Sequence, residues 1–235
     1  MDWMEQIGAD TPYDESMDVM EPFKDNEWET QRLGMVTGSN FSKLVKKSRD
    51  KKSYQLSDSK TASDLIYKIA WERLLKKGNI SNGLGRLNVS SREMQHGNDY
   101  EGAALLKFQE STGLEVNPNT GFHQLDEWIG GTPDAFVGED AIVEVKCPWN
   151  GGNHLYSLLN GVVYNDDHMY QMQGYLWITG RKTCYFVTYD PDLIEELQLN
   201  IIEVGRDEEM IKGIETVMKE VKNKILEIIE NEKLK

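Results

Sequence analysis

Two short apolar runs, 132–137 and 141–146, flank the break Gly138-Glu139-Asp140, and this pattern predicts a β-hairpin. A three-residue loop sets Val137 against Ala141, and the same register carries Asp134 opposite Glu144. Cross-strand neighbours of this kind hold their Cβ atoms about 4.5–5.5 Å apart on one face. Lys146, two residues beyond Glu144, projects from that face as well. Ala141-Ile142-Val143, Val145 and Cys147 are apolar on both faces, which marks a strand covered on both sides.

Around this hairpin the apolar positions recur at helical spacing. The pattern predicts helices at 28–33, 40–47, 61–77, 92–112, 168–179 and 207–234. The second places Phe41, Leu44 and Val45 inward, with Thr37 or Ser39 as its cap. The third places Leu65, Ile66, Ile69 and Leu74 inward and stops at Gly78. The fourth has an inward stripe of Met94, Gly97, Glu101, Ala104, Leu105 and Phe108. Glu101 interrupts that stripe, and a buried carboxylate needs a cation or a donor. Gly97 leaves room for another group to approach. The sixth has a stripe of Met210, Ile214, Val217, Val221, Ile225 and Ile228. Strands are predicted at 114–117, 121–125, 127–130, 183–189 and 197–204, the last two at the sheet edge. Residues 53–60 and 78–91 read as loops, and 150–160 as loop with a short helix.

Charge and composition change this picture in few places. With 39% hydrophobic residues among 235, the chain can bury the core of one large domain at 27–235. Residues 1–26 read as an acidic, weakly ordered arm, with Trp3, Met4 and Ile7 as its apolar points. No apolar run reaches about 18 residues, so no membrane span is expected, and the N-terminus lacks the order of a signal peptide. Cys147 and Cys184 form no CxxC, which argues against a zinc site or a disulfide framework and fits a reducing, cytoplasmic setting. The net charge of −14 is uneven: residues 1–29 hold ten acids and one base. Lys43, Lys46, Lys47, Arg49, Lys51 and Lys52 stand against Asp50 alone, a candidate contact to a nucleic-acid backbone.

The chemistry sits in the hairpin. Two facing carboxylates repel unless a cation lies between them, and an ammonium on the same face completes a Mg²⁺ site with a lysine beside it. A water held there is a nucleophile in waiting. A helix N-terminus after Thr37-Gly38-Ser39, with Arg32 nearby, suits a phosphate. Gln171 is placed to orient a water or a lysine, while His123 is isolated and structural.

The spacing D-(x)9-E-x-K resembles the PD-(D/E)xK nuclease superfamily. Four blocks occur together: 32–39 (RLGMVTGS), 96–101 (HGNDYE), Thr132-Pro133-Asp134 with 144–148 (EVKCP), and 170–177 (YQMQGYLW). With Tyr185-Phe186-Val187-Thr188-Tyr189-Asp190-Pro191, this set is similar to the lambda exonuclease family, also called the YqaJ viral recombinase family, over roughly 27–230. The resemblance implies an α/β fold with a restriction-endonuclease-like core, a central mixed sheet flanked by helices. It implies Mg²⁺-dependent digestion of one strand of duplex DNA from its 5′ end, leaving 3′ overhangs for recombination by strand annealing, with Mn²⁺ as a substitute metal. It implies double-stranded DNA ends as substrate, a single-strand annealing protein as partner, and a homotrimer, commonly phage-encoded.

Carried over residue by residue, Asp134, Glu144 and the Val145 carbonyl match metal ligands, and Glu101 matches a carboxylate near a second metal. Lys146 matches the catalytic lysine and Gln171 its supporting glutamine. Arg32, with Ser39, matches the holder of the terminal 5′-phosphate. Arg92 matches a basic DNA contact, and Met94 an apolar wedge between bases. The acidic arm, the glycine-rich loop 78–91, and the lack of a basic side chain at Gly151-Gly152-Asn153 depart from the family pattern. Competing readings are an endonuclease of the same superfamily and an end-binding recombination scaffold without catalysis.

Overall fold

β-branched and aromatic residues crowd 141–146 and 183–189, and these runs become adjacent inner strands of the main sheet. The structure is a computed structural model and describes residues 26–75, 92–118 and 120–231. In chain order it begins α1 (Asn26–Arg32), β1 (Val36–Thr37), a 3-10 turn (Gly38–Asn40), α2 (Phe41–Leu44), β2 (Val45–Lys47), β3 (Tyr54–Leu56) and α3 (Lys60–Leu74). There follow α4 (Arg92–Thr112), β4 (Val116–Asn117), β5 (His123–Gln124), β6 (Ile129–Gly131), β7 (Ala135–Val137) and β8 (Ala141–Lys146). The chain ends with α5 (Gly151–Asn160), α6 (Asp166–Thr179), β9 (Thr183–Tyr189), β10 (Leu199–Gly205) and α7 (Glu208–Ile229).

Among the described residues the main sheet has the order β10-β9-β8-β7-β4. β8 and β9 run parallel and the other pairs antiparallel, so the sheet is mixed. The β7–β8 register sets Val137 opposite Ala141 and Ala135 opposite Val143, as the three-residue loop requires. A smaller sheet, β1-β6-β5, lies beside it, and β2 pairs with β3.

The alternation of β8 sorts its side chains into two cores. Ile142 joins Phe186, Met172, Leu176, Phe41, Leu44 and the apolar stripe of α7. Val143 and Val145 join Ala104, Leu105 and Phe108 of α4. Each large side chain taken out of water contributes about 1.5–3 kcal/mol. Glu144 and Lys146 share the Ile142 face of the strand, so their head groups are held between the sheet and α6.

Several expectations are corrected. Val45–Lys47 is a strand rather than the end of a helix, because β-branched Val45 pairs with Leu56 and Lys47 with Tyr54. Residues 54–56 are accordingly strand and not loop. Neither Thr37 nor Ser39 caps α2; their hydroxyls face each other at 3.2 Å. Leu74 is half exposed, since α3 ends there. The α4 stripe is buried only from Glu101 onward, and Met94 is exposed. Nothing in the described residues approaches Gly97. β9 is an interior strand between β8 and β10, because the edge position is taken by β10. Asn26 already belongs to α1, one residue inside the stretch assigned to the arm. The remaining arm positions, Trp3, Met4 and Ile7 among them, and the loop at 78–91 lie outside the described residues.

Candidate active site

β7 and β8 bring the two carboxylates together by register alone. Asp134, just before β7, turns its Oδ2 onto the backbone N–H of Val145, which donates to it at 2.7 Å. This bond fixes the Asp134 carboxylate against the strand carrying Glu144 and Lys146. Glu144 is fully buried, and its Oε1 accepts from the Lys146 ammonium. Its other oxygen, Oε2, is buried and has no hydrogen-bond partner among the described residues. A buried acceptor left unsatisfied is costly.

The electrostatics follow from that burial. Desolvation first, then the Asp134 charge, pushes the Glu144 carboxyl up to about 8, against the pull of Lys146. Burial alone would lower the Lys146 ammonium. The Glu144 and Asp134 charges outweigh it and hold Lys146 above the ordinary lysine range. Burial, followed by the Glu101 and Asp134 charges, raises the Cys147 thiol to about 12, which leaves it inert. Glu101, buried in α4, is thus felt at both Glu144 and Cys147.

Two carboxylate oxygens with an unpaired acceptor between sheet and helix suit a hard cation that takes oxygen ligands. Among the described residues, no three His, Cys, Asp or Glu side chains stand close enough to form a metal cluster. Glu101, Asp134 and Glu144 are therefore not a preformed cage. Mg²⁺ is the ion such a partial shell fits, since it binds through one or two carboxylates and keeps several waters.

The helix above the cluster supplies residues that the sequence pattern does not single out. Gln171 donates through Nε2 to the Tyr175 hydroxyl at 3.4 Å, so its observed role is to hold Tyr175. Burial, then the Glu144 and Asp134 charges, raises the Tyr175 phenol above its usual range. The Tyr175 ring lies against Gly38 and Gly131, where a Cβ on either would overlap it. One ring thereby packs the Thr37-Gly38-Ser39 turn against the carboxylate site. His168, on the same helix, packs on Tyr164 and Phe186, and its Nε2 is buried without a partner among the described residues. Burial, followed by the Lys146 charge, lowers its imidazole to about 3, so it is neutral at working pH. His168, Gln171 and Tyr175 share one helical face.

The terminal-phosphate candidates lie on α1 and on the 3-10 turn after β1. Arg32, in the last turn of α1, stacks over Trp28 at 4.1 Å. Trp28 in turn donates to Thr132 Oγ1 at 2.8 Å, two residues before Asp134, which pins α1 to the hairpin. Glu72 accepts from the Gly34 N–H at 2.9 Å and Arg73 donates to the Gly34 carbonyl at 2.7 Å, clamping the chain between Arg32 and β1. Ser39 is exposed beside Thr37 and Asn40. Arg92 and Met94 are exposed at the start of α4. His123 is structural, its Nε2 bonded with the Thr120 carbonyl at 2.7 Å.

The chain is similar to an alkaline exonuclease, LHK-Exo, from Laribacter hongkongensis, with 25% identity and a TM-score of 0.73, over 89% of this chain and 96% of that one. For the structure of LHK-Exo in complex with dAMP the identity is 26% and the TM-score 0.72, over 88% and 95%. A phage-related exonuclease from Haemophilus somnus 129PT shares the fold, with 19% identity and a TM-score of 0.66, over 86% and 97%. No curated protein matches the chain. The domain model of the YqaJ-like viral recombinases matches residues 27–182. The chain belongs to the YqaJ-like viral recombinase family and is built on a restriction-endonuclease-like core.

Proposed function

We propose that the protein is a Mg²⁺-dependent exonuclease that digests one strand of duplex DNA from its 5′ end and leaves 3′ single-stranded overhangs for strand annealing. The observation that carries this reading is the Asp134–Glu144–Lys146 cluster with its unsatisfied buried acceptor, in a chain of this family. Likeness to an alkaline exonuclease supports it, as does the dAMP held by that enzyme in one structure, a single deoxynucleotide of the kind such digestion releases.

Asp134, Glu144 and the Val145 carbonyl would hold the Mg²⁺, with Glu101 toward a second. When bound, the ion supplies Lewis-acid charge to the scissile phosphate and acidifies a water. Lys146 is cationic and donating, so it acts by orienting the nucleophile and stabilising charge on the phosphate, not as a base. Asp134 is kept from swinging by the Val145 N–H. Gln171 holds the Tyr175 hydroxyl, and Tyr175 keeps the 37–39 turn in register with the cut. Arg32, with the Ser39 hydroxyl, takes the terminal 5′-phosphate, Arg92 a backbone phosphate, and Met94 wedges at the strand split. The same reading includes a cytoplasmic homotrimer working with a single-strand annealing protein.

The reading is tested at Arg32. Arg32→Ala is expected to erase a preference for 5′-phosphorylated over 5′-hydroxyl ends, measured as the ratio of initial digestion rates. A charge-assisted phosphate contact contributes about 1.5–3 kcal/mol, so the ratio should drop by roughly tenfold or more. A ratio equal to wild type would remove Arg32 from this role.

A further inference from the structure

Among the described residues two buried side-chain polar atoms have no hydrogen-bond partner, Glu144 Oε2 and His168 Nε2. Both belong to residues that interact with Lys146. Glu144 holds the ammonium through its other oxygen, Oε1. The charge acting on the His168 imidazole is that of Lys146. An ammonium has three N–H donors, and within the described residues Lys146 uses one of them, on Glu144. Two acceptors without donors thus belong to the neighbours of a group with donors to give.

The placement of His168 follows from β8, β9 and α6. The β8–β9 register sets Glu144 beside Phe186 and Lys146 beside Thr188, so Phe186 shares a face of the sheet with both site residues. The His168 ring packs on Phe186 at 5.6 Å between centroids, tilted by 32°. Tyr164 packs on both rings, at 4.9 Å from His168 and 6.0 Å from Phe186, and its phenol also feels the Lys146 charge. On α6, His168 shares its face with Tyr175, whose phenol feels Glu144, Asp134 and Lys146. These ring contacts account for the shape of residue 168 but not for its nitrogen. A phenylalanine would make the same contacts and leave no acceptor unsatisfied.

We propose that His168 is a positioning residue for Lys146, its Nε2 being a second acceptor that takes the ammonium when Glu144 turns its oxygens to a cation. The proposal rests on the nuclease reading and adds a residue to it. In the metal-free site Lys146 offsets the Glu144 charge. Once a cation does so, the ammonium needs another acceptor to stay fixed for its work on the nucleophile. A neutral imidazole with its proton on Nδ1 supplies one without adding charge, whereas an imidazolium would repel Lys146. Burial keeps the His168 imidazole in that neutral form.

The test compares wild type with His168→Phe and His168→Gln, each as the full chain. In EDTA, His168→Phe should melt at or above the wild-type temperature, because it keeps the ring and removes a buried unsatisfied acceptor. With Mg²⁺ and no DNA, its affinity for the ion, read from the rise of the melt with metal, should weaken by about tenfold or more, the effect of one hydrogen bond to a charged group. On 5′-phosphorylated linear duplex kcat should fall by a similar factor with KM unchanged. His168→Gln offers an amide oxygen in place of Nε2 and should recover most of both losses. In ¹⁵N spectra of wild type, assigned through His168→Phe, Nε2 should carry no proton and its signal should move when Mg²⁺ is added. Wild-type Mg²⁺ affinity and kcat in His168→Phe overturn the proposal, as does a proton on Nε2. A lower melt in EDTA with losses that His168→Gln does not recover also overturns it, and assigns the ring to packing alone. Wild-type protein that digests no duplex defeats the nuclease reading itself, while the Mg²⁺ affinities and the ¹⁵N spectra still decide the role of His168.

Discussion

Lys146→Ala is expected to lose phosphodiester cleavage while still binding duplex DNA. The Lys146 ammonium is the positive side-chain charge on the carboxylate cluster, and it is held there by Glu144 Oε1. A preorganised donor of this kind acts on charge that develops only in the transition state, so its removal lowers kcat by about 10²–10³ or more. Binding depends on other groups and should persist. The substitution also leaves Glu144 buried with both oxygens unpartnered, which forces the carboxyl to keep its proton. Lys146→Arg keeps the charge but not the point geometry, and should rescue folding more than cleavage. Gel digestion of an end-labelled duplex, beside anisotropy with the same DNA, separates the two effects. Digestion at the wild-type rate by Lys146→Ala would show that the lysine has no part in the reaction.

Cleavage and stability are expected to move in opposite directions with pH. Glu144 has a folded-state value of about 8 against an ordinary 4.5, raised by burial and then by Asp134. The folded chain therefore binds this proton more tightly than the unfolded chain does. In metal-free protein, the resulting stability is fully present below about pH 4.5 and is lost as pH rises toward about 8. Over the same window the carboxyl ionises and gains the charge it needs to hold a cation, so Mg²⁺ affinity and digestion rate should climb. Each tenfold difference in proton affinity between the folded and unfolded chain is worth about 1.4 kcal/mol, so the drop should be visible in thermal melts in EDTA. Asp134→Asn removes the repelling charge and should flatten the melt profile, while Glu144→Gln should remove its slope in this window. A digestion rate independent of pH from about 5 to about 8, with a flat melt profile, would contradict the assignment of that proton to Glu144.

The hairpin was legible because two features of sequence determine it. A period of two names the face, and a three-residue loop names the register, so Asp134 and Glu144 had to meet. Glu101 was legible as a break in an apolar stripe, and α7 as a long amphipathic run. Tyr175 and His168 were not, because α6 is buried on nearly every side and shows no stripe. On such a helix a tyrosine reads as core, and only the packing of Gly38 and Gly131 against its ring gives it a role. Val45 misled for a related reason: Phe41, Leu44 and Val45 fit a helical period as well as a helix-to-strand junction. His154 shows a third limit. It is fully buried, with Nδ1 2.9 Å from Thr188 Oγ1 and Nε2 2.8 Å from the Leu197 carbonyl, and it ties α5 to the sheet. Its partners come from β9 and from the segment before β10, contacts that no local pattern encodes.

The most direct measurement is product analysis of linear duplex with a 5′-phosphate, incubated with the full chain with and without Mg²⁺. The expected result is release of 5′-mononucleotides from one strand only when Mg²⁺ is present, with the complementary strand left intact and no release by Asp134→Asn. Internal fragments, loss of both strands together, or intact duplex in the presence of Mg²⁺ would contradict it.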